Sequence, residues 1–231
     1  MPDLAPRPSP LAPQPIGVLG GTFDPIHYAH LRLAEELVER LALAEVRFVP
    51  ARVPPHRDAP NVTPAHRLEM VRLALAGNAR FRLDDRECRR EGPSYTVDTL
   101  RALRDELGLN QPVCLIMGVD AYLGLSTWSR WLQLYDLAHL VVAQRPGFVL
   151  DTRSMPDELA RQTTARLCRD ASALQGQESG RVLAVDVPPL AISATAIRAA
   201  IAAGRNARYL LPDAVLDYID RHRLYKDFDA N

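Results

Sequence analysis

Residues 16–30 read "IGVLGGTFDPIHYAH": an apolar run ending in Gly20 and Gly21, a short loop, and two histidines three positions apart. The run suits a buried strand, and the segment from about His27 onward suits a helix. A strand that ends in glycines and turns into a helix start offers free backbone N–H groups and permits close backbone approach. Such a turn binds anions, phosphates above all. Two common nucleotide loops are excluded, because the Gly-x-Gly-x-x-Gly spacing is missing and a chain whose one lysine is Lys226 cannot supply a Gly-Lys pair here. His27 and His30, at i and i+3, share a helix face and can both donate to phosphate oxygens. The same spacing fits a metal pair, with only Asp24 nearby as a further ligand, or a histidine satisfied at a helix start.

Outward from this stretch the chain alternates. "VRFVP" from Val46, "VCLIMG" from Val113, "HLVVAQ" from His139 and "VLAVDV" from Val182 are further strand candidates, and "FRLDD" from Phe81 is a weaker one. Between them Leu31, Ala34, Leu37, Val38 and Leu41 recur at helical spacing, Thr63 with Pro64 marks a capped helix start, and "SYTVDTLRALRDELG" has the same character. This order predicts an α/β protein built on a doubly wound parallel sheet. Residues 151–180 are more polar and lack a clear strand, so they read as a helical excursion with loops. "ISATAIRAAIAAG" and "LLPDAVLDYIDRHRLY" predict two C-terminal helices. In the first, Ser193 falls at the N-cap, Thr195 in the first turn and Arg198 one turn on, so hydroxyls, N–H groups and a guanidinium can converge on a second anion. Read alone, the same letters make an ordinary capped helix with a surface arginine.

With 231 residues, 47% of them hydrophobic, the chain can bury a substantial core. A formal net charge of zero removes the usual electrostatic case for nucleic acid or an anionic membrane as partner. Cys88, Cys114 and Cys168 are odd in number and show no paired spacing, which points away from a disulfide framework or a zinc knuckle. Residues 1–15 are proline-rich without an apolar signal core and read as a flexible tail, leaving 16–231 as a single domain. No run approaches membrane-spanning length, and a cytoplasmic protein is expected.

Taken together, "GGTFDPIHYAH" and "ISATAIR" resemble the paired signatures of the nucleotidylyltransferase superfamily, a Gly-Thr-Phe-Asp-Pro loop leading to His-x-Gly-His and a late Ile-Ser-x-Thr-x-x-Arg. "RVPPHR" from Arg52, "PSYTVDTL" from Pro93, "MGVDAYLGLSTW" from Met117 and "QRPG" from Gln144 are similar to the bacterial nicotinate mononucleotide adenylyltransferase family in particular. The likeness runs in consistent order over residues 16–225. It implies a Rossmann-like nucleotidylyltransferase fold and a reaction between ATP and nicotinate mononucleotide that yields deamido-NAD and pyrophosphate. The attack is expected to be direct, without a covalent enzyme intermediate, and Mg²⁺ is expected on the ATP phosphates, held mostly by substrate oxygens and water.

Carried over by position, the resemblance implies that Gly20, Gly21, Thr22 and Phe23 meet the reacting phosphates, with Thr22 facing both substrates. His27 and His30 would stabilise the triphosphate, His30 nearest the α-phosphate, while Ser193 and Arg198 hold the outer phosphates. Gly118 and Asp120 would line the nucleotide cleft, Asp120 accepting from a ribose. Tyr95, Thr96 and Trp128 would form the pyridine subsite, where an indole can stack on a cationic ring. His56 and Arg145 would add polar and positive character beside the mononucleotide. Two departures stand out. Ala29 occupies the place of the family's usual glycine within the ATP-binding motif, and Ala51 and Arg52 precede "VPPH" where relatives carry asparagine. Rival expectations are a phosphopantetheine adenylyltransferase, a class I aminoacyl-tRNA synthetase fragment and a silent nucleotide-binding regulator. Chain length and His27 count against the first, the missing lysines against the second, and the intact His27, His30, Ser193 and Arg198 against the third.

Overall fold

A computed structural model describes residues 13–53, 59–148 and 150–226. In chain order the elements are β1 (Ile16–Gly21), α1 (Tyr28–Leu41), β2 (Glu45–Pro50), α2 (Pro64–Leu75), β3 (Phe81–Leu83), α3 (Arg86–Arg89), α4 (Thr96–Leu107) and β4 (Val113–Gly118). They continue with α5 (Val119–Leu123), α6 (Leu134–Leu137), β5 (His139–Gln144), α7 (Asp157–Arg166), β6 (Leu167–Cys168), β7 (Val182–Asp186), α8 (Ala194–Ala202) and α9 (Asp213–Arg221). All strand pairings in the sheet are parallel, in the order β3-β2-β1-β4-β5-β7-β6. The strand order reverses between β1 and β4, and an open α/β sheet of this kind leaves a crevice at the carboxyl ends of the strands at its reversal point.

Side-chain alternation explains why helices cover both faces. Leu19, Cys114, Ile116, Val141 and Leu183 turn to one core, which they share with α1, α2, α8 and α9. Their neighbours Val18, Val113, Leu115, Met117, Leu140 and Val142 turn to the other core, with α4, α5 and α7. The expected helix starts carry their caps: Thr63 Oγ1 accepts from the His66 N–H at 3.4 Å and Ser193 Oγ from the Ala196 N–H at 3.2 Å.

Residues 151–180 depart from expectation in one respect. Beyond α7 they contain the two-residue strand β6, whose Leu167 and Cys168 pair with Val182 and Leu183 at the edge of the sheet. A strand so short has no readable period, and the register of β7 creates it. Pro15 and Gln14, assigned from sequence to the tail, are tied to the body: the Pro15 carbonyl accepts from the Ala44 N–H at 2.9 Å and the Gln14 carbonyl from Gln111 Nε2 at 2.7 Å. Residues 1–12 of that tail lie outside the described residues. Among the described residues no helix is long and apolar enough to cross a membrane.

Candidate active site

The crevice at the β1/β4 reversal is a cleft of about 1240 Å³. One wall is the loop after β1. A side chain at Gly20 would meet no neighbouring group within 4 Å, so this position leaves the cleft open. Gly21 is required for a different reason, because a Cβ there would strike the Phe23 ring at 2.9 Å. Phe23 is left-handed at φ 50°, a conformation costing about 1 kcal/mol for a residue with a Cβ. Its ring offsets that cost by burying itself, 2% exposed, against Phe48 and edge-on to His30, with centroids 5.9 Å and 5.1 Å away.

His27 is the N-cap residue of α1 and His30 lies one turn on, with the rings stacked at 3.8 Å. The two are not equivalent. His30 lines the cleft, and its Nδ1 accepts from the His27 N–H at 3.3 Å. His27 is buried behind it, 5% exposed, and burial lowers its pKa to about 4, so the imidazole is neutral at physiological pH. Its Nδ1 is buried with no hydrogen-bond partner among the described residues. Ala29, between them, is half-buried in the first turn of α1, where alanine fits helical geometry.

Asp24 fixes this loop to distant parts of the chain. Its buried carboxylate accepts from the Asn61 N–H at 2.7 Å and from the Tyr225 hydroxyl at 2.6 Å. Burial, followed by this hydrogen bond to Asp24, raises the Tyr225 pKa, so the phenol stays protonated and donates. The Asp24 carbonyl accepts from Arg198 Nη1 at 2.7 Å, while Arg198 Nη2 reaches Thr195 Oγ1 at 3.4 Å. Arg198 is therefore anchored to the loop after β1, and Ala194, Thr195 and Arg198 all face the cleft. Ser193 spends its hydroxyl on the cap and does not line it.

The opposite wall comes from β4 and α4. Gly118 closes β4 at the cleft, and exposed Asp120 sits in the first turn of α5 just outside the lining. Tyr95, Thr96 and Trp128 line the cleft together. The start of α4 differs at its two residues assigned to the pyridine subsite. Tyr95, at the N-cap of α4, donates to the Pro93 carbonyl at 3.2 Å, whereas Thr96 opens the helix with no carbonyl partner for its N–H among the described residues. The Tyr95 ring is steadied by the Arg130 guanidinium, 5.8 Å from its centroid, which Asp98 holds at 2.7 Å. Arg145 lies exposed after β5 and does not line the cleft, and His56 falls outside the described residues. Arg52 is turned away, its Nη1 donating to the Arg90 carbonyl at 3.1 Å.

Three features of the cleft went unread in the sequence. Glu87 lines it from α3, buried, with its carboxyl accepting from Thr99 Oγ1 at 2.5 Å and burial pushing its pKa up. Ser94 accepts from the Arg52 N–H at 2.9 Å and so links the loop after β2 to the start of α4. Arg67, fully buried on α2, reaches backbone carbonyls of both loops around β1 and β2. No spacing rule marks any of them, since each has a partner brought close only by the fold.

The family model for cytidylyltransferase-like proteins matches residues 18–200. A protein of Dechloromonas aromatica named "Probable nicotinate-nucleotide adenylyltransferase" is 52% identical over 214 residues, covering 93% of this chain and 99% of its own. One of the same name from Pseudomonas aeruginosa is 48% identical over 212 residues, covering 91% and 97%. Among solved structures, Plasmodium falciparum nicotinic acid mononucleotide adenylyltransferase complexed with NaAD superposes with a TM-score of 0.69 at 20% identity, over 94% of this chain and all of the other. That last likeness speaks for the fold alone. On the relatives' identity and coverage, and on the family match across the sheet and both signature turns, the chain belongs to the nicotinate-nucleotide adenylyltransferase family of cytidylyltransferase-like proteins.

Proposed function

We propose that this protein transfers the adenylyl group of ATP to nicotinate mononucleotide, giving deamido-NAD and pyrophosphate. The observation that carries the proposal is one cleft at the sheet's reversal point, with His30, the glycine loop and Arg198 on one side and Tyr95, Thr96 and Trp128 on the other. A phosphate-binding turn facing an aromatic subsite suits the joining of two nucleotides. In the reaction a 5′-phosphate oxygen of the mononucleotide attacks the α-phosphorus of ATP. The new P–O bond forms as the bond from the α-phosphorus to the bridging oxygen breaks, and the electron pair leaves with pyrophosphate. No protein nucleophile is needed, so catalysis rests on positioning and charge neutralisation.

In this reading His30 donates to the α-phosphoryl oxygens and Arg198 supplies positive charge to the outer phosphates. The neutral His27 ring backs His30 and fixes its plane by stacking. Thr96 offers its N–H to the nicotinate carboxylate, Trp128 stacks on the pyridine, and Gly118 and Asp120 border the ribose. Among the described residues no three His, Cys, Asp or Glu side chains group to hold a metal, and both Asp24 oxygens are already taken. That donor set fits Mg²⁺ arriving on the triphosphate, where it would neutralise charge on the departing pyrophosphate. Both substrates are water-soluble, and a cytoplasmic location is part of the proposal.

The test is a coupled pyrophosphate-release assay with MgATP and a panel of phosphorylated acceptors. Nicotinate mononucleotide should be the best acceptor, and preference for phosphopantetheine, or no release with any acceptor, would overturn the reading.

A further inference from the structure

We infer that Arg67 is a positioning residue of the adenylyl-transfer site, a single guanidinium that clips the phosphate loop to the mononucleotide loop. The inference rests on the proposed function for the meaning of the two loops, and on geometry for the clip itself. Nη1 donates to the Thr22 carbonyl at 2.8 Å and to the Ala51 carbonyl at 2.5 Å, and Nη2 donates to the Arg52 carbonyl at 3.0 Å. Thr22 follows β1, and Ala51 and Arg52 follow β2. The pairing of the two strands ends with the Ala51 N–H donating to the Gly21 carbonyl at 2.9 Å, the last backbone hydrogen bond between them among the described residues. Arg67 takes over where the sheet stops.

Three details distinguish this from ordinary core packing. Arg67 is 0% exposed and forms no ion pair with a carboxylate among the described residues, so its charge is met by carbonyl dipoles of the site loops. Burial is also the main influence on its pKa, acting to lower it, with Cys88, Asp24 and Tyr225 opposing in that order. The Thr22–Phe23 peptide is trans, so a carbonyl aimed at Arg67 turns the Phe23 N–H away from Arg67. That N–H has no partner among the described residues, and a hydrogen bond to the carbonyl of a peptide strengthens the N–H on its other side as a donor.

The molecule supplies its own control. Arg104 is also buried and also tethers carbonyls, those of Leu137 and Glu178 at 2.7 Å each and that of Gln111. These precede β5, β7 and β4, at the amino ends of the strands, the far end of the sheet from the cleft. The two arginines do the same structural job, and only one does it beside the site.

The experiment compares Arg67→Lys with Arg104→Lys in the full chain. An ammonium cannot span three carbonyls held by a planar fork, so both variants should lose thermal stability. At a temperature where both are folded, Arg67→Lys should lower kcat/KM by about tenfold to a hundredfold, the scale set by sub-ångström to ångström misplacement of reacting groups. It should also weaken MgATP binding by calorimetry, while Arg104→Lys stays within about twofold of wild type in both readouts. Equal kinetics and equal MgATP affinity for the two variants would overturn the inference. If the wild type binds MgATP but uses no pyridine mononucleotide, the proposed function fails, and the affinity comparison still judges Arg67. Should Arg67→Lys not fold, native-state hydrogen exchange on the wild type decides instead. Amides of residues 22–24 and 51–53 should open in one step with α2, and independent opening of the two loops would refute the clip.

Discussion

Two histidines in one motif carry different physics because one is buried and the other faces the cleft. His30→Ala should reduce kcat by about two to four orders of magnitude with the fold intact, the loss associated with one preorganised donor, and steady-state kinetics beside circular dichroism would check it. His27 makes a prediction about stability. Its pKa falls from an ordinary 6.5 to about 4 on folding, so between those values the unfolded chain binds the extra proton. The stabilisation is full above pH 6.5 and is lost as pH falls toward 4, by about 3 kcal/mol over the window. His27→Gln should therefore flatten the pH dependence of the urea midpoint between pH 6.5 and 4. An unchanged slope would show that His27 is protonated in the native state. The sequence placed both histidines on one helix face as candidates for phosphate contact, and the fold brings only His30 to the cleft. Their division of labour was not legible, because which ring is buried is decided by tertiary packing around the loop.

At the level of elements, two helix starts border the cleft, and the proposed function gives each a measurable role. For α8, Arg198→Ala should weaken MgATP binding and Arg198→Lys should restore it only in part, since a point charge cannot both hold the Asp24 carbonyl and reach a phosphate. Calorimetry with MgATP reads this directly, and equal affinity in wild type and Arg198→Ala would remove the residue from the ATP site. For α4, the Thr96 N–H, without a partner among the described residues, suits a carboxylate, whereas an amide must turn a donor toward it and leave groups unpaired. Nicotinate mononucleotide should be preferred over its amide by about a hundredfold or more in kcat/KM, and parity in a side-by-side assay would reassign the acceptor. Trp128→Ala should raise KM for both without altering their ratio. The βαβ alternation was readable because strand runs and caps obey local rules, as Thr63 and Ser193 show. β6 was not, since two residues at an edge obey only their neighbour's register.

Across the whole molecule, the cleft is assembled by contacts that join segments far apart in sequence. Asp24, weighed from sequence only as a metal ligand, instead takes the Tyr225 hydroxyl across 201 positions. Tyr225→Phe should destabilise the fold by about 1.5 to 3 kcal/mol, as expected when a buried carboxylate loses a hydrogen bond, and urea titration would measure it. Arg67 and Glu87 belong to the same class: a buried guanidinium and a buried carboxyl whose meaning depends on loops that α2 and α3 approach only in the folded state. Sequence therefore conveyed the parallel sheet and the signature turns, all written in short runs, while the strand order came only with the fold. It withheld the fastenings between them, which have no local period. The Tyr225 contact also bears on how the protein is made. Synthesis runs from β1 onward, so the first loop leaves the ribosome early and its Asp24 must wait for a phenol translated last among its partners. That contact can form only after Tyr225 has cleared the ribosome, so until then the nascent chain should hold much of its sheet and little affinity for MgATP.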